Sequence, residues 1–154
     1  MENTLGQVSA IQGFGMTAGP LRADLKLPMI ATQDIGEAVA SALLKLDFTG
    51  HQTRELLGQR DISMTDAAAI IGKAIGKPKL GYVQLPSGQV KPVLMQMGMS
   101  ASVADLFLEM SSSLNSGHIC ALEARSGRNT TPTSYEDFVA KVFVPAYHGR
   151  GTAA

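Results

Sequence analysis

The chain has 154 residues, 45% hydrophobic and 17% charged, and thirteen basic against thirteen acidic side chains give it a formal net charge of zero. That is the composition of one globular domain, which at this size buries about 70% of its unfolded surface, and not of a disordered tail. Zero net charge excludes a global field that would gather DNA, RNA or an anionic membrane, and it leaves a homo-oligomer open because low charge favours self-association.

Cys120 is the single cysteine, so a disulfide framework and a multi-cysteine metal site are excluded, and a reducing cytoplasmic setting is expected. The opening MENTLGQVSAIQG has no basic cluster followed by an apolar core, and no apolar run approaches the roughly 20 residues that span a bilayer.

Residues 1–26 are rich in glycine and poor in large apolar side chains, and they read as an irregular loop with at most a short helical turn and little core of its own. A strand is expected at 27–30. Ile35, Val39, Ala42, Leu43 and Leu46 then recur at helical spacing in a packing helix, with Thr32 or Asp34 as its starting cap. A second strand is expected at 53–58. Ser63-x-x-Asp66 is a capping pattern for a helix whose inward stripe is Ala67, Ile70, Ile71, Ala74 and Ile75; Gly76 and Pro78 end it. A third strand is expected at 81–86.

From Gln89 to Asn115 the pattern is helical, broken near Gly98 and restarted by Ser100 or Ser102, with Val103, Leu106, Phe107, Met110 and Leu114 facing inward. After a polar loop, Ser134-x-x-Asp137 caps a last helix carrying Phe138, Val142 and Phe143, and Pro145 closes it. Residues 149–154 read as a frayed tail.

Few residues are placed for chemistry. Gly13-x-Gly15-x-x-Ala18 matches the dinucleotide fingerprint in letters, but Gly19-Pro20 would stop the helix that the fingerprint requires, so loop glycines are the better reading. His51, His118 and His148 follow turn signals without partners at ligand spacing and read as surface histidines. Neither Tyr82 nor Tyr135 is followed four residues later by lysine, and Cys120 reads as a buried inert thiol. Met95, Met97 and Met99 cluster at the Gly98 break, where flexible thioethers suit a pocket mouth.

Taken in order, LPMIATQDIGEAVASALL, TRELLGQRDISMTDAAAIIGKAIGKP, YVQLP, QMGMSASVADLFLEM and NTTPTSYEDF resemble the C-terminal half of NmrA-like proteins, atypical relatives of the short-chain dehydrogenases/reductases that bind NAD(P)H. Met1-Glu2-Asn3 resembles an internal piece of the same family. The resemblance implies an α/β fold: the C-terminal fragment of a Rossmann-like doubly wound fold, with about four helices on two or three short strands. On that expectation, residues 1–154 form one substrate-side domain whose N-terminal nucleotide-binding half, with its glycine-rich turn, is missing.

The resemblance places Asn3 near the nicotinamide and the substrate, while Phe14, Met97 and Met99 fall in segments that wall the substrate cleft; it implies no catalytic or metal-ligating residue here. Three functions compete. The first is the substrate-side portion of an NAD(P)H-dependent oxidoreductase for a small apolar acceptor such as a quinone or azo-type compound, inactive alone, with hydride chemistry belonging to the cofactor. The second is a dinucleotide-binding redox sensor without turnover. The third is an independent domain that buries its exposed sheet edge by oligomerising.

Overall fold

The computed structural model describes residues 1–46 and 48–149. Of the tail expected to fray, residues 150–154 lie outside the described residues. A 3-10 turn over Glu2–Gln7 runs into α1 (Val8–Phe14); β1 (Thr17–Gly19), β2 (Leu27–Pro28), α2 (Thr32–Lys45), β3 (Asp61–Ile62), α3 (Met64–Ala74), β4 (Tyr82–Gln84), α4 (Ser87–Gln96) and α5 (Ala101–Asn115) follow. The described chain ends in a helical run of α6 (Tyr135–Phe138), a wide π turn (Val139–Phe143) and α7 (Val144–Tyr147). No helix among the described residues is long and apolar enough to cross a membrane.

The strands form two small sheets. β1 pairs with β4 in parallel, Thr17 opposite Tyr82 and Gly19 opposite Gln84, and β2 pairs antiparallel with β3, Leu27 opposite Ile62. The expected strand at 53–58 does not form: Leu57 alone makes an isolated parallel bridge to Thr130. Extended backbone becomes a strand only where a ladder partner runs beside it, and Leu57 has one for a single residue. The segment read as an irregular loop, residues 1–26, instead supplies α1, β1 and a core residue, Ile11, which is fully buried.

Two cores result. The larger joins α1, β3, α3 and the last helical run through Ile11, Ile62, Ile71, Leu80, Tyr135 and Phe143; the smaller closes the α4–α5 hairpin on Val90, Leu94 and Ala104. The helix starts follow the sequence. Ser63 Oγ accepts from Asp66 N at 3.0 Å while the Asp66 carboxylate accepts from Ser63 N at 3.2 Å, a complete capping box, and the Ser100 and Ser134 side chains cap α5 and α6. Ser63→Ala should therefore cost about 1 kcal/mol in urea unfolding at neutral pH.

That variant should also change the acid limb. Ser63 bonds hold the Asp66 carboxyl below its ordinary 3.8, so the stability it adds is complete above that value and is lost as pH falls through the lower folded value. In Ser63→Ala this loss should flatten; an unchanged acid limb would show that the cap does not set the Asp66 titration.

Helix faces and ends depart from expectation in four places. α2 begins after Ala31 without a side-chain cap of its own; the Glu2 carboxylate accepts from Thr32 N at 3.1 and 3.2 Å instead. Asp34 is buried and serves a different partner, described below. In α3 the buried set is Ala67, Ala68, Ile71 and Gly72, while Ala74 is exposed. In α5, Ala104 and Ser111 are buried whereas Val103, Leu106 and Met110 stay exposed, because α4 packs about a quarter turn away from the apolar stripe. Pro145 does not close the last helix. Its ring removes a donor and crowds the preceding turn, and the π turn at Val139–Phe143 widens the spiral just ahead of it so that helix continues to Tyr147.

Candidate functional site

The residues that the sequence marks as family-specific meet in space. Leu57 N donates to Asn129 O at 2.6 Å, Thr131 N donates to Leu57 O at 3.0 Å, and the Thr131 hydroxyl donates to the same carbonyl at 3.1 Å. The TRELLG and NTTPT segments, 74 residues apart at Leu57 and Thr131, are thus one backbone junction. Around it, Asn129 accepts from Ser126 N at 2.7 Å and donates to Ala124 O at 3.1 Å, and the Glu55 carboxylate accepts from the amides of Leu122 and Glu123. Asp34 accepts from the Thr133 amide at 3.0 Å and from its hydroxyl at 2.5 Å. Buried polar groups that each find partners hold shape and leave little capacity for chemistry.

Charged pairs rim this junction. Arg60 bonds Glu136 through both terminal guanidinium nitrogens, at 3.0 and 2.5 Å, and Arg125 pairs with Asp61 and with the Gly58 carbonyl. The Arg60 guanidinium holds the Glu136 carboxyl below its ordinary 4.5, and Arg60 is raised in return. Both side chains of the Arg60–Glu136 pair are about half exposed, so solvent screens the pair and its worth is below about 1 kcal/mol. An open depression of about 390 Å³ lies beside it, lined by Arg60, Asp61, Asp66 and Glu136 among others; a second, of about 310 Å³, is lined by Glu2, Gln33, Thr133 and Lys141 among others.

The four cleft residues expected from sequence are carried by different elements. Asn3 is exposed on the 3-10 turn, whose Met1 and Leu5 pack on the larger core. Phe14 ends α1, where Gly15 turns left-handed at φ 69° and leaves the ring 79% exposed. Met97 ends α4 at 64% exposure, and Gly98 at φ 97° reverses the chain so that Met99 packs onto Val90, Leu94 and Ala104. Phe14 lies just ahead of β1, and Met97 lies one helix beyond β4, the strand with which β1 pairs in parallel. None of the four lines either depression.

The remaining candidates resolve plainly. Gly13 and Gly15 end a helix instead of opening one, and Ala18 lies in β1, so the fingerprint letters belong to a helix end and a strand. His51, His118 and His148 are exposed. Cys120, expected to be buried, is exposed, because the loop after α5 carries it out of both cores. Met110, expected in the core, is 44% exposed.

Tyr135 is fully buried, and its hydroxyl has no hydrogen-bond partner. Burial pushes it up to about 12, the Thr4 hydroxyl pulling weakly the other way from outside bonding geometry, so it stays neutral. Sequence reasoning did not anticipate Thr17, Asn129 or Thr131 as buried polar residues; a strand of three residues and a loop network leave no periodicity to read. No group of three or more metal-ligating side chains is assembled among the described residues.

Comparison with known proteins adds the context that geometry leaves open. No curated protein matches the chain by sequence. Two solved structures of the NADPH-dependent quinone oxidoreductase QOR2 of Escherichia coli, one complexed with NADPH, superpose with TM-scores of 0.70 at 23% identity, covering 92% of this chain and 50% and 51% of theirs. The likeness shows a shared fold, and the chain spans about half the length of those structures. A family model, that of the NmrA-like family, matches residues 3–139.

Proposed function

This chain belongs to the NmrA-like family, and from that membership we propose that it forms the C-terminal, substrate-side portion of an NAD(P)H-dependent oxidoreductase. The acceptor is a small apolar compound of the quinone or azo type. The observation that carries the reading is the family match over residues 3–139, whose most specific segments close on each other at Leu57 and Thr131. The surface that the described residues offer agrees with it: exposed apolar side chains at Phe14 and Met97. Hydride transfer in such a protein is supplied by the dinucleotide when bound; this chain's part is to wall the acceptor with apolar surface and keep water from it. Asn3, on its exposed turn, faces the nicotinamide and the acceptor in this reading.

Alone, the 154-residue chain should neither bind NADPH at micromolar concentration in titration calorimetry nor oxidise it with menadione. A longer chain carrying a nucleotide-binding half ahead of Met1 should oxidise NADPH with quinones. In it, Phe14→Ala and Met97→Ala should raise KM several-fold with kcat retained, the pattern of lost acceptor binding. NADPH binding without turnover across several quinone and azo acceptors would replace the reductase by a redox sensor. Micromolar NADPH binding by the short chain would refute its dependence on a further half.

A further inference from the structure

Hydrogen bonds tie the α4–α5 hairpin to the distant chain through one residue. Its apolar interior is its own: Val90, Leu94 and Ala104 pack with Met99, Phe107 and Leu108, together with Leu85 at the entry, and none of these belongs to the larger core. Lys91 pairs with Asp105 inside it at 2.6 Å, and buried Ser111 turns its hydroxyl back to Phe107 O at 2.8 Å. Among the described residues, Asn115 alone bonds the hairpin to a sequence-distant segment. Its Nδ2 donates to Pro20 O at 2.9 Å and its Oδ1 accepts from Arg22 N at 2.8 Å, while Arg22 Nη1 donates to Asn115 O at 3.4 Å.

The loop that receives Asn115 is held from both sides. The Tyr82 hydroxyl donates to Leu21 O at 2.9 Å, and Thr65 donates to Ala23 O through its amide at 3.1 Å and its hydroxyl at 3.0 Å. The loop is thus fixed to β4 and to the first turn of α3. Helix α5, 15 residues against the 10 of α4, runs more than a turn past the start of its partner and delivers Asn115 there. A side-chain amide carries a donor and an acceptor at one terminus, which matches the Pro20 carbonyl and the Arg22 amide.

We propose that Asn115 is the latch of a hinged hairpin: when its bonds to Pro20 and Arg22 open, α4 and α5 turn as one body about two pivots. One is Pro86, where the chain enters; the other is Gly117, where it leaves through a left-handed turn at φ 77°. The hairpin keeps its own interior as it turns, so the motion breaks few contacts. Met97, at the far end of α4 from Pro86, moves furthest. On the acceptor reading above, the latch sets how far that wall stands open, but the motion itself does not rest on that reading.

Residual dipolar couplings of the 154-residue chain in a dilute alignment medium test it, because they average over hinge motions of roughly microseconds to milliseconds. In the parent, the couplings of α4 and α5 should fit the alignment tensor of α3. In Asn115→Ala the ratio of latched to open hairpin should fall about tenfold, for two lost hydrogen bonds. The readout is a tensor of reduced magnitude that α4 and α5 share, with that of α3 kept. Alanine is the better helix former, so the substitution does not weaken α5 itself. Ser116→Ala, next in the chain, removes a hydroxyl that donates within the helix to Ser113 O and should leave the parent pattern. A hairpin that keeps the tensor of α3 in Asn115→Ala would overturn the proposal. So would separate tensors for α4 and α5, an equal loss in α3, an equal effect of Ser116→Ala, or a parent hairpin already averaging apart from α3. A rigid hairpin would leave the reductase reading standing.

Discussion

Replacing Gly58 by alanine should cost about 3 kcal/mol in urea unfolding, the largest loss expected among the glycine-to-alanine changes. A methyl group built on Gly58 falls 1.7 Å from Met29 O and 2.5 Å from the carbon of the same carbonyl. Both are backbone atoms and cannot rotate away. Met29 follows directly on β2, which is held to β3, while Gly58 is fixed by the Leu57 bonds on one side and by Arg125 on its own carbonyl. Relief therefore requires breaking either the small ladder or the junction between the two family segments. A domain with about 5–15 kcal/mol of total stability would lose a large fraction of it. Gly88→Ala is the contrasting variant: nothing lies within 4 Å of its added methyl, and in α4 it should be neutral or gain about 0.5 kcal/mol. If Gly58→Ala unfolds within about 0.5 kcal/mol of the parent, the close approach is soft and this account of the junction fails.

Asp34→Ala should follow at about 2–3 kcal/mol. The carboxylate is 4% exposed and accepts from the Thr133 amide at 3.0 Å and its hydroxyl at 2.5 Å. Truncation leaves the amide without an acceptor in a half-buried position, and it removes one of two ties that hold the start of α2 against the rest of the chain. Asp34→Asn keeps one acceptor oxygen and should lose about half as much, while Thr133→Val in the Asp34→Ala background should add little, since the bonded pair is already broken. Additive losses from the two sites would show that they do not act as a pair.

Local rules were legible where one residue decides a local geometry. Ser63, Ser100 and Ser134 start helices as their positions require, and Gly76, Gly98 and Gly117 take the left-handed turns expected at helix ends. The α/β class and the family likewise follow from ordered motifs. What failed depended on neighbours. Whether 53–58 is a strand depends on a ladder partner, and whether the α2 stripe is inward depends on something to pack against; sequence periodicity states a preference and cannot supply the partner. Pro145 misled for a similar reason, since the π turn that accommodates it has no signature of its own. The cleft residues Asn3, Phe14, Met97 and Met99 come from resemblance, and no spacing among them could have linked a turn, a helix end and a hairpin bend.

The division of the hydrophobic interior into two parts bears on how this chain yields to stress. Val90, Leu94 and Ala104 are few residues to hold twenty-five helical ones, the 10 of α4 and the 15 of α5, whereas nine buried residues hold the main body. Opening of the hairpin exposes only the lesser part, so its amides exchange through a cheap local excursion while those around Ile71 and Phe143 wait for the whole molecule to melt. Met97 and Met99 lie at the bend of that same hairpin. The part of the proposed acceptor wall that Met97 supplies thus sits on the less firmly held of the two packed bodies, and a wall that swings can admit molecules of differing size without loosening the scaffold behind it.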